Sequence, residues 1–150
     1  MTRPAEYENL IKTNALEPVS PTAGAIDVYL KNAANYQTIA EHIEAGPDLA
    51  LQKFTMAYEG YFQLVQAILE FYEVRSKDSG RNLIIQRVSS SLGVSSAEYT
   101  FITRAHERRN STSYRSPFPP VSETEAATML SILAKYLPIA RTFTSTSATP

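Results

Sequence analysis

The chain has 150 residues, a formal net charge of −1, 43% hydrophobic and 19% charged residues, the profile of one globular domain able to bury a core. It contains no cysteine, which excludes disulfides, thiolate catalysis and sulfur-ligated metal sites. No window approaches the ~18 apolar residues of a membrane span, and the opening Met-Thr-Arg-Pro-Ala-Glu-Tyr-Glu lacks the apolar segment of a signal peptide, so the expectation is a cytoplasmic protein with no membrane contact.

Residues 1–19 read as a polar lead-in with one short apolar piece, Leu10-Ile11, closed by Asn14 and Pro18. Ser20-Pro21 has the pattern of an N-cap followed by proline in the first turn. Ile26, Leu30, Ala33, Gln37 and Ala40 then recur at helical spacing up to Gly46, predicting a first helix over about 21–45. Pro47-Asp48 opens the longest element. There Leu51, Phe54, Tyr58, Tyr61, Val65, Ile68 and Tyr72 recur at steps of three and four. About 28 residues at this rise give roughly 40 Å of helix. So wide an aromatic stripe predicts core packing on two sides, or a dimer seam.

The turn-forming run Arg75 to Gly80 ends that helix. Leu83, Ile84, Ile85, Val88 and Leu92 predict a short third helix closed by Gly93. Ser95 and Glu98 have capping-box spacing and open a fourth helix. Ser116-Pro-Phe-Pro-Pro120 reads as a stiff extended linker, because each proline disfavours helix in the residue before it. Ser122 and Glu125 repeat the capping box ahead of a fifth helix bearing Ala126, Met129, Leu130, Leu133 and Leu137, expected to kink or end near Pro138. A Ser/Thr-rich tail from Thr142 to Pro150 is expected to be disordered. No stretch alternates with period two. The expected fold is therefore all-α: an antiparallel bundle of four long helices plus one short helix over residues 20–141.

The fourth helix concentrates the chemistry. From Phe101 to Arg115 it carries Arg104, Arg108, Arg109 and Arg115 against Glu107, a local charge of +3 in a chain of charge −1, and one of the two histidines, His106. At roughly 100° per residue, Tyr99, Ile102, His106, Arg109 and Asn110 fall on one face, and Arg104, Arg108 and Arg115 on the other. The first face starts apolar and turns polar without changing side. An Arg and an Asn placed inside a bundle must be hydrogen-bonded or reach a water-filled cleft. Three readings remain open at this point. One is a solvated basic helix end. Another is phosphate or nucleic-acid binding through Arg104, Arg108 and Arg115. The last is a polar site in which His106 or Tyr114 moves a proton and Arg109 stabilises charge on a phosphate. His42 has no carboxylate at ligand spacing beside it, and the five glycines form no phosphate-cradling loop, so neither metal nor cofactor is called for.

The order and spacing of short segments resemble the HEPN domain (higher eukaryotes and prokaryotes nucleotide-binding). Those segments are Tyr29-Leu-Lys-Asn-Ala-Ala34, Ala57-Tyr-Glu-Gly-Tyr-Phe-Gln-Leu-Val-Gln-Ala67, Tyr72-Glu-Val-Arg-Ser-Lys-Asp-Ser-Gly80 and Arg108-Arg-Asn-Ser-Thr-Ser-Tyr114. They extend the likeness from about Leu10 to Ala140. It is most similar to the subgroup with Arg-Asn-x3-Tyr. The resemblance implies a helical bundle from a bacterial toxin–antitoxin or antiphage system, paired as a homodimer. It also implies a metal-independent endoribonuclease-type site built on Arg109 and Asn110. Nuclease members carry the arginine, then four to six residues, then a histidine; here the position five after Arg109 is Tyr114. A tyrosine with a pKa of about 10 is a poor general base, whereas histidine at about 6.5 is well placed. That departure favours a degenerate site contacting RNA or a nucleotide. The alternative is a non-catalytic module that binds a partner protein, such as a cognate antitoxin or nucleotidyltransferase.

Overall fold

A computed structural model describes residues 3–77 and 81–145. Those residues form six helices and one small sheet: α1 (Ala5–Lys12), β1 (Leu16–Pro18), α2 (Ala25–His42), α3 (Ala50–Phe71), β2 (Val74–Ser76), α4 (Arg81–Ser91), α5 (Ser96–Tyr114) and α6 (Glu123–Ser145). The chain is thus predominantly α-helical, as its periodicities predict. Helix α3 is the axis. It packs along α2 and α6, while α4 and α5 pair with each other and close on α3. Its aromatic stripe is core: Phe54, Tyr58 and Tyr61 are fully enclosed. At Gly60 the packing is closest. A Cβ there would lie 2.7 Å from Leu133 Cδ2 and 2.9 Å from Tyr36 Cβ, so glycine is what lets α2 and α6 approach α3 together.

Both capping boxes form. Ser95 Oγ accepts from the Glu98 amide and Glu98 accepts from the Ser95 amide, and Ser122 and Glu125 repeat the exchange. Glu98 also accepts from the Tyr136 hydroxyl and from Lys135 on α6. These bonds, the tyrosine's first, hold its carboxyl down at about 2.

Several expectations are revised: α2 starts at Ala25 behind Gly24 and not at Pro21, and α3 spans 22 residues and not about 28. The lead-in is folded: α1 buries Tyr7 and Leu10, and the Arg3 guanidinium donates to the carbonyls of Tyr72 and Glu73. A strand pair exists, with Leu16 opposite Ser76 and Pro18 opposite Val74 in an antiparallel ladder. Part of the predicted Arg75–Gly80 turn is therefore strand, and residues 78–80 lie outside the described residues. Helix α6 does not end at Pro138 but continues to Ser145. Its flanking residues Leu133, Tyr136, Leu137 and Ala140 are buried, and that packing offsets the lost backbone bond. Residues 142–145, expected in the tail, are helical, with Thr144 buried; residues 146–150 lie outside the described residues. No helix of the described residues is long and apolar enough to cross a membrane.

Candidate functional site

Helix α5 places Ile102 and Ala105 in the core, so the polar residues one turn further along the same face arrive at the edge of that core, against α3. There His106, Arg109 and Asn110 join into one chain of contacts. His106 Nδ1 lies 2.6 Å from the Tyr58 hydroxyl on α3, and His106 Nε2 lies 3.1 Å from Asn110 Nδ2. Asn110 Oδ1 in turn accepts from Arg109 at 3.1 Å. That last bond orients the amide. Because its oxygen faces a guanidinium, its NH2 faces the imidazole, and Nε2 must accept. The network therefore assigns His106 the neutral tautomer with its proton on Nδ1, donated to Tyr58. Burial first, then the nearby charges of Arg81 and Arg109, lower the His106 pKa below its ordinary value. Geometry and electrostatics agree on a neutral imidazole. Tyr58 itself is pushed up to about 12, mainly by burial.

Two residues that sequence spacing does not reveal complete the site. Glu59 on α3 and Arg81 at the start of α4 form an ion-pair chain with Arg109. Arg81 NH2 reaches Glu59 Oε2 at 3.0 Å, and Arg109 NH2 lies 3.2 Å from Glu59 Oε1. The three side chains are only a fifth to a quarter exposed. Arg81 stacks on Phe62, its Cζ 3.6 Å from the ring centre. Arg109 sits 5.9 Å from the ring centres of both Tyr58 and Tyr114. Tyr114 thus borders the cluster through its ring, 75% exposed. The only sequence signal for Glu59 and Arg81 is a charge beside an apolar stripe, which ordinary surface residues share.

On the opposite face of α5 the arginines separate in role. Arg108 is fully engaged. Its Nε and NH2 grip Glu125 at 2.8 and 3.2 Å, and its remaining N–H groups reach Thr112 and the carbonyls of Pro119 and Pro120. That leaves no N–H of Arg108 for a phosphate. It pins the proline linker, with its cis Phe118–Pro119 peptide, to the start of α6. Arg115 pairs with Glu107 at 2.9 Å, both exposed. Arg104 is exposed, has no ion-pair partner among the described residues, and lines a groove of about 630 Å³ with Phe54, Phe101, Ala105, Arg108 and Glu125. A second groove of about 510 Å³ shares Ala97 and Phe101 with it and continues between α5 and α6. His42, on α2, is exposed and bonds the Thr38 carbonyl. Among the described residues no acidic or histidine cluster could hold a metal ion.

No family model matches the chain, and no curated protein matches it.

Proposed function

We propose that the chain is a HEPN-like component of a bacterial toxin–antitoxin or antiphage system whose polar cluster where α3, α4 and α5 meet contacts a phosphate of RNA or of a nucleotide. The observation that carries this is the joining of His106, Arg109 and Asn110 into one hydrogen-bonded chain at the edge of the core. A polar chain at that depth costs desolvation that its hydrogen bonds only partly offset, and a binding role accounts for its presence. In this reading Arg109 binds the phosphate and Asn110 orients it. His106, kept neutral, would accept the proton in this reading, in place of the histidine that the family motif puts at Tyr114. His106 Nε2 is occupied by Asn110 in the free chain, so acceptance of a proton requires Asn110 to turn toward the ligand. If the chain is an enzyme, it is a metal-independent endoribonuclease. Arg104, Arg108 and Arg115 are the expected backbone contacts; of these Arg104 alone has no ion-pair partner among the described residues, on the face of α5 opposite Arg109. The homodimer of this reading would form through α5 and α6, whose apolar groove offers the surface.

A second reading has its own support. The paired grooves beside α5, together with Tyr114 and Phe118, each 75% exposed, suit a partner protein such as an antitoxin or nucleotidyltransferase.

Expression of the wild type and Arg109→Ala in a bacterial host, followed by growth and total RNA integrity, tests the choice. Growth arrest with cleaved RNA, lost in the variant, supports the nuclease form. Intact RNA with both proteins, together with RNA binding that Arg109→Ala abolishes, supports the degenerate binding form. Neither cleavage nor binding leaves the partner-protein reading.

A further inference from the structure

Three buried polar atoms of the described residues lack a hydrogen-bond partner: Glu59 Oε1, Arg81 Nε and Asn82 Oδ1. Such atoms are uncommon enough to need a reason, and two of them belong to the Arg81–Glu59–Arg109 chain. Arg81 is held by its stack on Phe62. Its NH2 donates to Glu59 Oε2 at 3.0 Å, while Nε, on the same edge of the guanidinium, donates to nothing. That edge is the one that takes two oxygens of a carboxylate or phosphoryl group together. Glu59 fills half of it. Its other oxygen lies 3.2 Å from Arg109 NH2 without hydrogen-bond alignment. One planar carboxylate is thus stretched between two guanidiniums and satisfies neither. A tetrahedral oxyanion, with acceptor oxygens in more directions, fits two converging guanidiniums better.

We propose that Glu59 is a placeholder for a phosphoryl oxyanion, which displaces it and is clasped between Arg81 and Arg109. Arg81 is then a phosphate ligand from a second helix, and Glu59 an internal competitor that sets the threshold for binding. The proposal deepens the phosphate-contacting reading and rests on Arg109 being a ligand. The group recognised is the phosphoryl oxyanion, supplied by a single-stranded RNA phosphodiester or by the terminal phosphate of a nucleotide.

The test uses the full chain as wild type, Glu59→Gln, Arg81→Lys and Arg109→Gln. Three probes are used: labelled hexauridylate, AMP and inorganic phosphate. Glu59→Gln removes the competitor's charge and is expected to tighten binding roughly tenfold. Arg81→Lys keeps the charge but loses the fork, and is expected to weaken binding by a similar factor. Hexauridylate binding that AMP does not displace assigns a phosphodiester; binding of AMP or phosphate alone assigns a terminal phosphate. Unchanged or weaker binding by Glu59→Gln, with Arg81→Lys equal to wild type, overturns the placeholder while loss in Arg109→Gln retains the wider reading. Binding of AMP that responds to both variants in a chain that ignores RNA retains the placeholder and removes the RNA reading. No binding of any probe overturns both. Circular dichroism of each variant accompanies the titrations, and if Glu59→Gln does not fold, the folded Arg81→Lys decides.

Discussion

The Tyr58 hydroxyl meets His106 Nδ1 at 2.6 Å across the α3–α5 contact and accepts the proton that the Asn110 amide, donating to Nε2, keeps on Nδ1. With Asn110 donating to Nε2, an imidazolium would set two N–H groups against each other. His106 is therefore expected to stay neutral, as the Nδ1–H tautomer, at pH 6.5. Long-range proton–nitrogen NMR reads this directly, and an imidazolium signal at that pH would contradict the assigned network. The folded pKa lies below the unfolded value of about 6.5, so acidification below that value favours the unfolded chain, which takes up the proton more readily. His106→Gln is expected to flatten the loss of melting temperature between pH 7.5 and 5.5.

Glu98 behaves in the opposite sense. Its carboxyl is held at about 2 by Tyr136, Ser95 and Lys135, so its contribution is complete above about 4.5 and disappears as pH falls toward 2. Glu98→Gln keeps a capping acceptor but loses the charge-assisted bond from the Tyr136 hydroxyl, and is expected to cost about 1 kcal/mol at pH 7. Denaturation curves of variant and wild type should converge near pH 2; a constant gap down to that pH would show that the charge of Glu98 is not what matters.

Arg108→Lys removes the bidentate grip on Glu125 and most of the bonds to Thr112, Pro119 and Pro120. The expected loss is about 2 kcal/mol, read as a lower urea midpoint. Faster proteolysis within Ser116–Pro120 should accompany it. A protease pattern identical to wild type would place the anchoring of the linker elsewhere.

At Gly60, alanine gains about 1 kcal/mol of helix propensity. It also forces a Cβ into Leu133 and into the Tyr36 Cβ, which sits too near its own backbone to swing aside. Overpacking of this kind costs about 1–3 kcal/mol, so Gly60→Ala should lower stability overall. A more stable variant in equilibrium denaturation would mean that the three helices have slack at their crossing.

The legible parts of this chain were those written locally. The two capping boxes, Ser95/Glu98 and Ser122/Glu125, mark the starts of α5 and α6 because cap and partner are three residues apart. The face of α5 shared by His106, Arg109 and Asn110 follows from helical spacing alone. The missed parts join distant segments. Leu16–Pro18 is too short to show alternation, and its partner lies nearly sixty positions on. Tyr7 and Leu10 give α1 too little pattern to stand out, although both are buried. Glu59 and Arg81 enter the site from separate helices, and no spacing rule joins them to Arg109. Pro138 misled because its local penalty is visible in sequence while the burial that offsets it is not.

The pairing of Arg108 with Glu125 has a consequence for how the molecule looks to its ionic surroundings. Four arginines and one glutamate in a row suggest a strongly cationic helix, yet Glu125 and Glu107 each neutralise one of them, and Glu59 divides its charge between Arg109 and Arg81. Among the described residues, Arg104 is the one of these four arginines without an ion-pair partner. A single RNA strand that touches Arg104 and displaces Glu59 from Arg109 would free counterions at two phosphates, giving a log–log salt slope of about −1.4, whereas four open arginines would give about −2.8. The helix is then a weak general attractor of polyanions, and its selectivity rests on the shape of the anion it closes around.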